Sequence, residues 1–151
     1  MTQHHYADDS DDAIVARALA VLEARMTYGN KICSSKDAIN YMTLKLSHEP
    51  RELFAVLFMD SQHRVLAFEI LFMGTINTTP VYPREVVKRA LFHNAGAVLF
   101  AHNHPSGDPT PSESDRTITM KLRDALALVD VRVLDHIVVG GGSAVSAAEQ
   151  G

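Results

Sequence analysis

The sequence predicts a mixed α/β fold in which helices cover a sheet. Short and almost entirely apolar runs, such as ELFAVLFM (52–59) and AVLFAH (97–102), are typical of buried strands. Between such runs lie segments whose apolar residues recur three and four positions apart, as in amphipathic helices. Helices and strands therefore alternate along 151 residues, a length that suits one domain.

Four segments have the periodicity and the end signals of helices. They span residues 11–28, 35–47, 83–95 and 112–129. Asp11 and Asp12 are candidate caps of the first helix, and Pro83 suits the first turn of the third. Glycine is the expected stop signal, with Gly29 after the first helix and Gly96 after the third.

Five segments predict strands. They span residues 52–59, 64–72, 97–102, 131–139 and 143–149. The turn-like Asp60-Ser61-Gln62 joins the first two strands as a hairpin. The segment NHPSGDPTP (103–111) is dense in proline, glycine, aspartate and asparagine and predicts a loop. A Gly-Gly-Gly turn precedes the last strand, which is expected at an edge of the sheet.

The composition disfavours several classes of protein. The formal net charge is −4, whereas surfaces that bind nucleic acid are usually basic, so nucleic acid is not expected as the main partner. The single cysteine, Cys33, cannot form an intramolecular disulfide, which is typical of a cytoplasmic protein. The apolar runs are too short to cross a bilayer, and the acidic segment MTQHHYADDSDD does not resemble a secretion signal.

The segment from His102 to Asp115 carries the strongest chemical signal. His102 and His104 lie two positions apart at the end of a predicted strand, where alternate side chains point the same way. Zinc accepts imidazole and carboxylate ligands in a tetrahedral shell. Asp115 shares the inward face of the next helix with Ile118 and Leu122, and a metal ion would offset the cost of burying its carboxylate. These three residues are therefore predicted zinc ligands, with the fourth position left for water.

A catalytic zinc site also needs a carboxylate that takes and returns a proton. The candidates are Glu52, Glu69, Glu85 and Glu113. Glu85 lies in the first turn of a helix, where an acid is expected anyway, and Glu113 is expected to face solvent. Glu69 lies in the middle of a strand. Glu52 stands at the mouth of a buried strand, from which a side chain can reach the edge of the sheet.

A family resemblance begins at these same residues. One pattern resembles the JAMM motif of MPN-domain metalloproteases. It consists of His102-x-His104, then seven residues and Ser112, then two residues and Asp115. The runs RELFAVLFMD, FMGTINTTPVYPREVVKRAL, AVLFAHNHPSGDPTPSESD and VRVLDHIVVG resemble the JAMM domain of the RadC-like family. The resemblance covers roughly residues 35–149, and a pattern of this length is far more specific than two histidines alone.

The resemblance implies a fold and a set of roles. The fold is a three-layer α/β/α arrangement with a mixed sheet, as in cytidine deaminases. One zinc ion per chain is held by His102, His104 and Asp115, with Glu52 as general acid and base and Ser112 as a donor to the tetrahedral oxyanion. Glu69 is the second candidate for the base. The JAMM/MPN domain is expected over residues 31–151, after an acidic tail and a helix over 1–30.

The activity expected from this resemblance is hydrolysis of peptide or isopeptide bonds by a metal-activated water. The substrate would be a peptide or protein, and a homo-oligomer is compatible with the sequence. Two alternatives are a DNA-associated RadC-like protein and a non-catalytic MPN interaction module. Full-length RadC-like proteins carry an N-terminal helix-hairpin-helix segment, whereas this chain has only about 30 residues there, without a Gly-x-Gly hairpin.

Three further observations have structural interpretations. Ser112 and Asp115 have the spacing of a capping box, a role that is compatible with their place in the motif. His136 lies in an apolar strand and is interpreted as a core histidine or as a support for a ligand. Asn103 either orients the main chain near the site or only forms a turn.

Overall fold

The structure is a computed structural model that describes residues 10–27, 34–74 and 80–147. Its helices are α1 (Asp11–Thr27), α2 (Ser35–Leu46), α3 (Pro83–Phe92) and α4 (Glu113–Ala127). Its strands are β1 (Leu53–Met59), β2 (Val65–Met73), β3 (Ala97–Asn103), β4 (Arg132–Gly140) and β5 (Ser143–Ser146). The predicted order of elements is thus found in the described ranges. Most of the predicted tail, the stop at Gly29 and residues 148–149 of the last predicted strand lie outside the described residues.

The strands form one mixed sheet in the order β2-β1-β3-β4-β5. β1 runs antiparallel to both β2 and β3, β3 runs parallel to β4, and β5 returns antiparallel to β4. The central strands β1 and β3 are buried along their whole length. This explains why their sequences are almost unbroken apolar runs, because helices cover both faces of the sheet.

Alternate residues of β1 pack into two separate cores. The odd-numbered side chains face α1 and α2 and pack in one cluster with Leu22 and Met42. The even-numbered side chains face α3 and α4 and pack in a second cluster with Val86 and Leu122. The molecule therefore has three layers, α/β/α, and the predicted fold class is confirmed.

The start of α1 differs from the sequence prediction. The hydroxyl of Ser10, rather than Asp11 or Asp12, accepts a hydrogen bond from the N–H of Ala13 at 3.2 Å. Serine is a strong N-cap because its short side chain reaches the free N–H groups of the first turn. In the part of the chain that the structure describes, no helix is both long and apolar enough to span a membrane.

The end of α3 also differs from the prediction. The helix stops at Phe92, because Asn94 adopts the left-handed conformation with φ 54°. Asparagine tolerates this conformation and commonly ends helices. Gly96 serves close packing instead, since a Cβ there would lie 2.8 Å from the backbone nitrogen of Ser61.

Candidate metal centre

The two histidines leave the sheet side by side at the end of β3. His102 pairs with Phe54 of β1 and with Val138 of β4, so its backbone is held on both sides. The N–H of His104 donates to the carbonyl of Val139 at 2.7 Å, which extends the contact with β4 beyond the end of β3. Their Nε2 atoms lie 2.9 Å apart, so both imidazoles are directed at one point.

The carboxylate of Asp115 closes this arrangement from the first turn of α4. Its Oδ1 lies 3.0 Å from Nε2 of His102, and its Oδ2 lies 3.0 Å from Nε2 of His104. A capping box holds the carboxylate in place. The N–H of Ser112 donates to Oδ2 at 2.7 Å, and the hydroxyl of Ser112 accepts from the N–H of Asp115 at 3.1 Å. The cap and the convergence on the histidines therefore occur together.

Glu52 is the carboxylate that joins this cluster. It precedes β1, is 7% exposed, and its Oε1 lies 3.9 Å from Nε2 of His102. The side chains of Glu52, His102, His104 and Asp115 each offer a ligand atom, and these atoms all lie within 4.8 Å of one another. The start of β1 and the end of β3 lie next to each other because the two strands are antiparallel neighbours.

Glu69, the second sequence candidate, has other partners. Its two carboxylate oxygens accept hydrogen bonds from Nε and Nη2 of Arg89 at 2.8 and 2.7 Å, and His93 Nε2 lies 2.9 Å away. These hydrogen bonds from Arg89 lower the pKa of Glu69. Glu85 and Glu113 are exposed. None of these three glutamates belongs to the cluster around His102.

The electrostatics of the cluster favour an ionised Asp115. Burial by itself would raise the pKa of Asp115, but the hydrogen bonds from His102 and His104 and their charges hold it far below its ordinary value. The same hydrogen bond with Asp115 raises the pKa of His104, against a lowering effect of burial. The site is thus a pair of imidazoles gathered around one carboxylate that stays negative.

Each ligand histidine also has a partner at its other ring nitrogen. Nδ1 of His104 lies 2.8 Å from the carbonyl oxygen of Asp108, to which it donates. Nδ1 of His102 lies 2.6 Å from Nε2 of His136, which is 1% exposed. Burial and the neighbouring His102 hold the pKa of His136 well below its ordinary value, so its ring is neutral. Such partners orient the ring of a metal-binding histidine.

Two of these contacts were not foreseen from the sequence. Thr119 contacts Nδ1 of His136, and the carbonyl of Asp108 contacts His104. A signal for Thr119 did exist, because it lies one helical turn after Asp115 and shares its buried face with Leu122 and Leu126. A polar residue on such a face needs a polar partner. Asp108 acts through its main chain, for which residue type gives no signal.

The donor set fits a divalent metal ion. Two imidazole nitrogens and a carboxylate are ligands that zinc prefers. In a tetrahedral shell with ligands at about 2.0–2.1 Å, neighbouring donors lie about 3.3 Å apart. The nearest distances between the donor atoms of His102, His104 and Asp115 are 2.9–3.0 Å. A shift of a few tenths of an ångström in these side chains would therefore be enough to admit an ion. Three donors from the chain also leave a position for water.

Known proteins resemble this chain over most of its length. A family model described as a RadC-like JAB domain matches residues 32–151. A UPF0758 protein of Vibrio cholerae is 53% identical over 138 residues, which make up 91% of this chain and 87% of that protein. UPF0758 proteins of Stutzerimonas stutzeri and Cellvibrio japonicus are 55% and 53% identical over 130 and 139 residues. These matches cover 86% and 92% of this chain, but the chain spans only 58% and 62% of those two proteins.

The resemblance seen in the JAMM-like motif is therefore confirmed. The matched region contains Glu52, His102, His104, Ser112 and Asp115, and the fold built around them is the expected three-layer arrangement. With a family model that covers most of its residues, this chain belongs to the RadC-like JAB-domain family, within the JAMM/MPN proteins.

Proposed function

We propose that the protein is a zinc-dependent hydrolase of peptide or isopeptide bonds. One observation carries this proposal: His102, His104 and Asp115 converge within 3.0 Å of one another, with Glu52 beside them. Structural zinc sites usually have four ligands from the protein, whereas catalytic sites have three and keep one position open. Three donors with a buried carboxylate at their side therefore support a catalytic rather than a structural site.

Glu52 is the proposed proton carrier. Its carboxylate lies beside the cluster and is buried, so a water molecule bound there would be within reach of its oxygens. When bound, zinc would supply the Lewis acidity that lowers the pKa of water and polarises a carbonyl group. Glu52 then takes a proton from the attacking water and returns it to the nitrogen of the leaving amine.

Ser112 is the proposed donor to the negative charge that develops on the substrate. Its hydroxyl oxygen accepts from the N–H of Asp115, so the hydroxyl hydrogen is left to donate elsewhere. Ser112 is exposed at the start of α4 and is bonded to Asp115 of the cluster, so we expect a substrate carbonyl bound at the metal to lie near it. A donor at this position stabilises an oxyanion that develops during attack on the carbonyl carbon.

The proposal is tested by metal analysis and by profiling on peptide libraries. Zinc-treated wild-type protein is expected to hold one zinc ion per chain, and His104→Ala to hold little. Glu52→Gln should keep its zinc and lose cleavage by roughly 10²–10⁴-fold, because it removes the proton transfer alone. Glu69→Gln is the matched control and should cleave normally.

Two results would contradict the proposal. Wild-type protein that takes up no zinc would remove the metal site. Zinc-replete protein that is inert on broad peptide and isopeptide libraries would favour a binding module instead.

A further inference from the structure

We infer that Thr119 and His136 are positioning residues, which set the tautomer of His102 so that its Nε2 lone pair is available to a metal ion. This inference rests on the proposed metal site. The two side chains join the main-chain carbonyl of Asp115 to the ring of His102 in one continuous row of hydrogen bonds. No residue of this row except Asp115 and His102 belongs to the predicted ligand set.

The row crosses three elements of the fold. Thr119 Oγ1 of α4 lies 2.7 Å from the carbonyl oxygen of Asp115 and also contacts Nδ1 of His136 on β4. Nε2 of His136 lies 2.6 Å from Nδ1 of His102 on β3. The three side chains are 8%, 1% and 2% exposed, so water has little access to these contacts. Each polar atom must therefore be satisfied within the row.

The direction of the first two hydrogen bonds follows from counting hydrogens. The carbonyl of Asp115 can only accept, so the hydroxyl of Thr119 donates its hydrogen to it. Thr119 has no second hydrogen to donate to His136. The hydrogen between these two side chains therefore belongs to Nδ1 of His136.

The direction of the third hydrogen bond follows from the neutrality of His136. Its ring nitrogens face a hydroxyl and an imidazole, neither of which is negatively charged, and a buried imidazolium there would be costly. A neutral ring carries one hydrogen, which His136 already donates to Thr119. Its Nε2 must accept, so Nδ1 of His102 carries the hydrogen between the two rings.

This leaves His102 as the form that a metal ion requires. In neutral His102 the one hydrogen therefore lies on Nδ1 and the lone pair on Nε2, the atom that lies 3.0 Å from Oδ1 of Asp115 and 2.9 Å from Nε2 of His104. In the metal-free protein Nε2 can carry a second hydrogen toward Asp115, which an ion would replace. The opposite direction of the row would instead fix the one hydrogen of neutral His102 on Nε2, in the space between the ligands. The same turn of α4 thus presents the carboxylate of Asp115 and, through Thr119, orients His102.

Nuclear magnetic resonance of the metal-free wild-type protein tests the direction without any need for activity. We expect a coupling between the ¹⁵N nuclei of His102 Nδ1 and His136 Nε2 across their hydrogen bond, with the hydrogen attached to His102. Thr119→Val keeps the shape of the side chain but removes its hydroxyl, and it should weaken or abolish this coupling. A hydrogen attached to Nε2 of His136 in the wild-type protein would overturn the inference.

Zinc affinity, measured against a chelator with Zn²⁺ alone, tests the consequence. Loss of such a supporting partner typically weakens metal binding by about 10–100-fold. We expect a weakening in this range for His136→Phe and Thr119→Val. His136→Gln, which keeps an acceptor, and Thr119→Ser, which keeps the hydroxyl, should remain near the wild-type affinity.

Ile137→Ala is the matched control, because Ile137 is buried on the same strand but packs in the opposite core. It should lower stability and leave zinc affinity unchanged. If His136→Phe does not fold, Thr119→Val decides. Wild-type zinc affinity in folded Thr119→Val would overturn the inference. A wild-type protein that shows the expected coupling but binds no zinc would instead overturn the proposed function and leave the hydrogen-bonded row in place.

Discussion

Asn103 holds the main chain on both sides of Glu52. Its Oδ1 accepts from the N–H of Leu53 at 2.7 Å, and its Nδ2 donates to the carbonyl of Arg51 at 2.8 Å. Nδ2 also lies 3.2 Å from the carbonyl of Glu49. Because Asn103 stands between the two histidines of the cluster, one short segment positions two metal-ligand candidates and the carboxylate beside them. Of the two sequence interpretations of Asn103, the structure shows the one that orients main chain.

Asn103→Ala is expected to lower both stability and catalysis. The free energy of unfolding should fall by about 1–3 kcal/mol, since the buried N–H of Leu53 loses its acceptor. Cleavage by the zinc-loaded protein should fall while zinc affinity stays near wild type, because only Glu52 is released. Denaturant titration and chelator competition measure the two effects.

An exposed asparagine provides the control for Asn103. Asn40 lies on the surface of α2, and Asn40→Ala should change stability by no more than about 0.5 kcal/mol. Equal losses of stability in the two variants would show that the bonds around Glu52 contribute nothing.

Substitutions of Ser112 can separate its capping role from a chemical one. Ser112→Ala should destabilise the protein by about 1 kcal/mol, whereas Ser112→Gly should cost only a few tenths, because glycine is a tolerable N-cap. Both variants lack the hydroxyl, so both should lose cleavage to a similar extent. Cleavage that follows stability, with Ser112→Gly close to wild type, would leave Ser112 with the capping role alone.

Gly140 allows the loop that supports His104 to approach β4. A Cβ at this position would lie 2.8 Å from the backbone nitrogen of Pro109 and 2.9 Å from the carbonyl carbon of Asp108. Gly140→Ala should therefore displace the carbonyl that accepts from His104, and weaken zinc binding by roughly 10-fold. Chelator competition measures this change.

Gly142 is the matched control for Gly140. Its φ is 77°, and among the described residues nothing beyond its chain neighbours lies within 4 Å of its Cβ position, so Gly142→Ala strains the backbone without pushing on the loop. We expect a loss of roughly 1–2 kcal/mol in stability and no change in zinc affinity. Similar zinc affinities for both alanine variants would exclude the proposed displacement of the loop.

The ion pair of Glu69 predicts a pH-dependent contribution to stability. Hydrogen bonds from Arg89 lower the pKa of Glu69 in the folded protein, so its ionised form stabilises the fold at pH values above the unfolded pKa of about 4.3. This contribution is lost as the pH falls through the lowered folded value. Glu69→Gln should therefore be less stable than wild type at neutral pH, and the difference should vanish in acid.

Thermal unfolding at several pH values measures the contribution of Glu69. A difference between wild type and Glu69→Gln that stays constant from neutral to acid pH would contradict the assignment. Zinc affinity should be the same in both proteins, because Glu69 contacts Arg89 and His93 rather than the cluster.

Most of the fold was predictable because its signals are local. The buried strands β1 and β3 are recognised as apolar runs in the sequence. The helices are recognised by their amphipathic periodicity and by the residues that begin and end them. The errors fall at helix ends, where Ser10 and Asn94 act in place of the expected Asp11 and Gly96. Several residue types can cap or stop a helix, so the choice among near neighbours depends on backbone geometry rather than on sequence alone.

The sequence by itself determined the convergence of His102, His104 and Asp115. Two residues of one strand tip and one residue of the following helical turn are directed by local geometry that spacing already describes. Only the tertiary structure decided that Glu52, and not Glu69, joins them, because this depends on the register that sets Phe54 opposite His102. The contacts of His136 and Thr119 likewise join separate elements, and pairing across elements is a property of packing that a linear pattern does not contain.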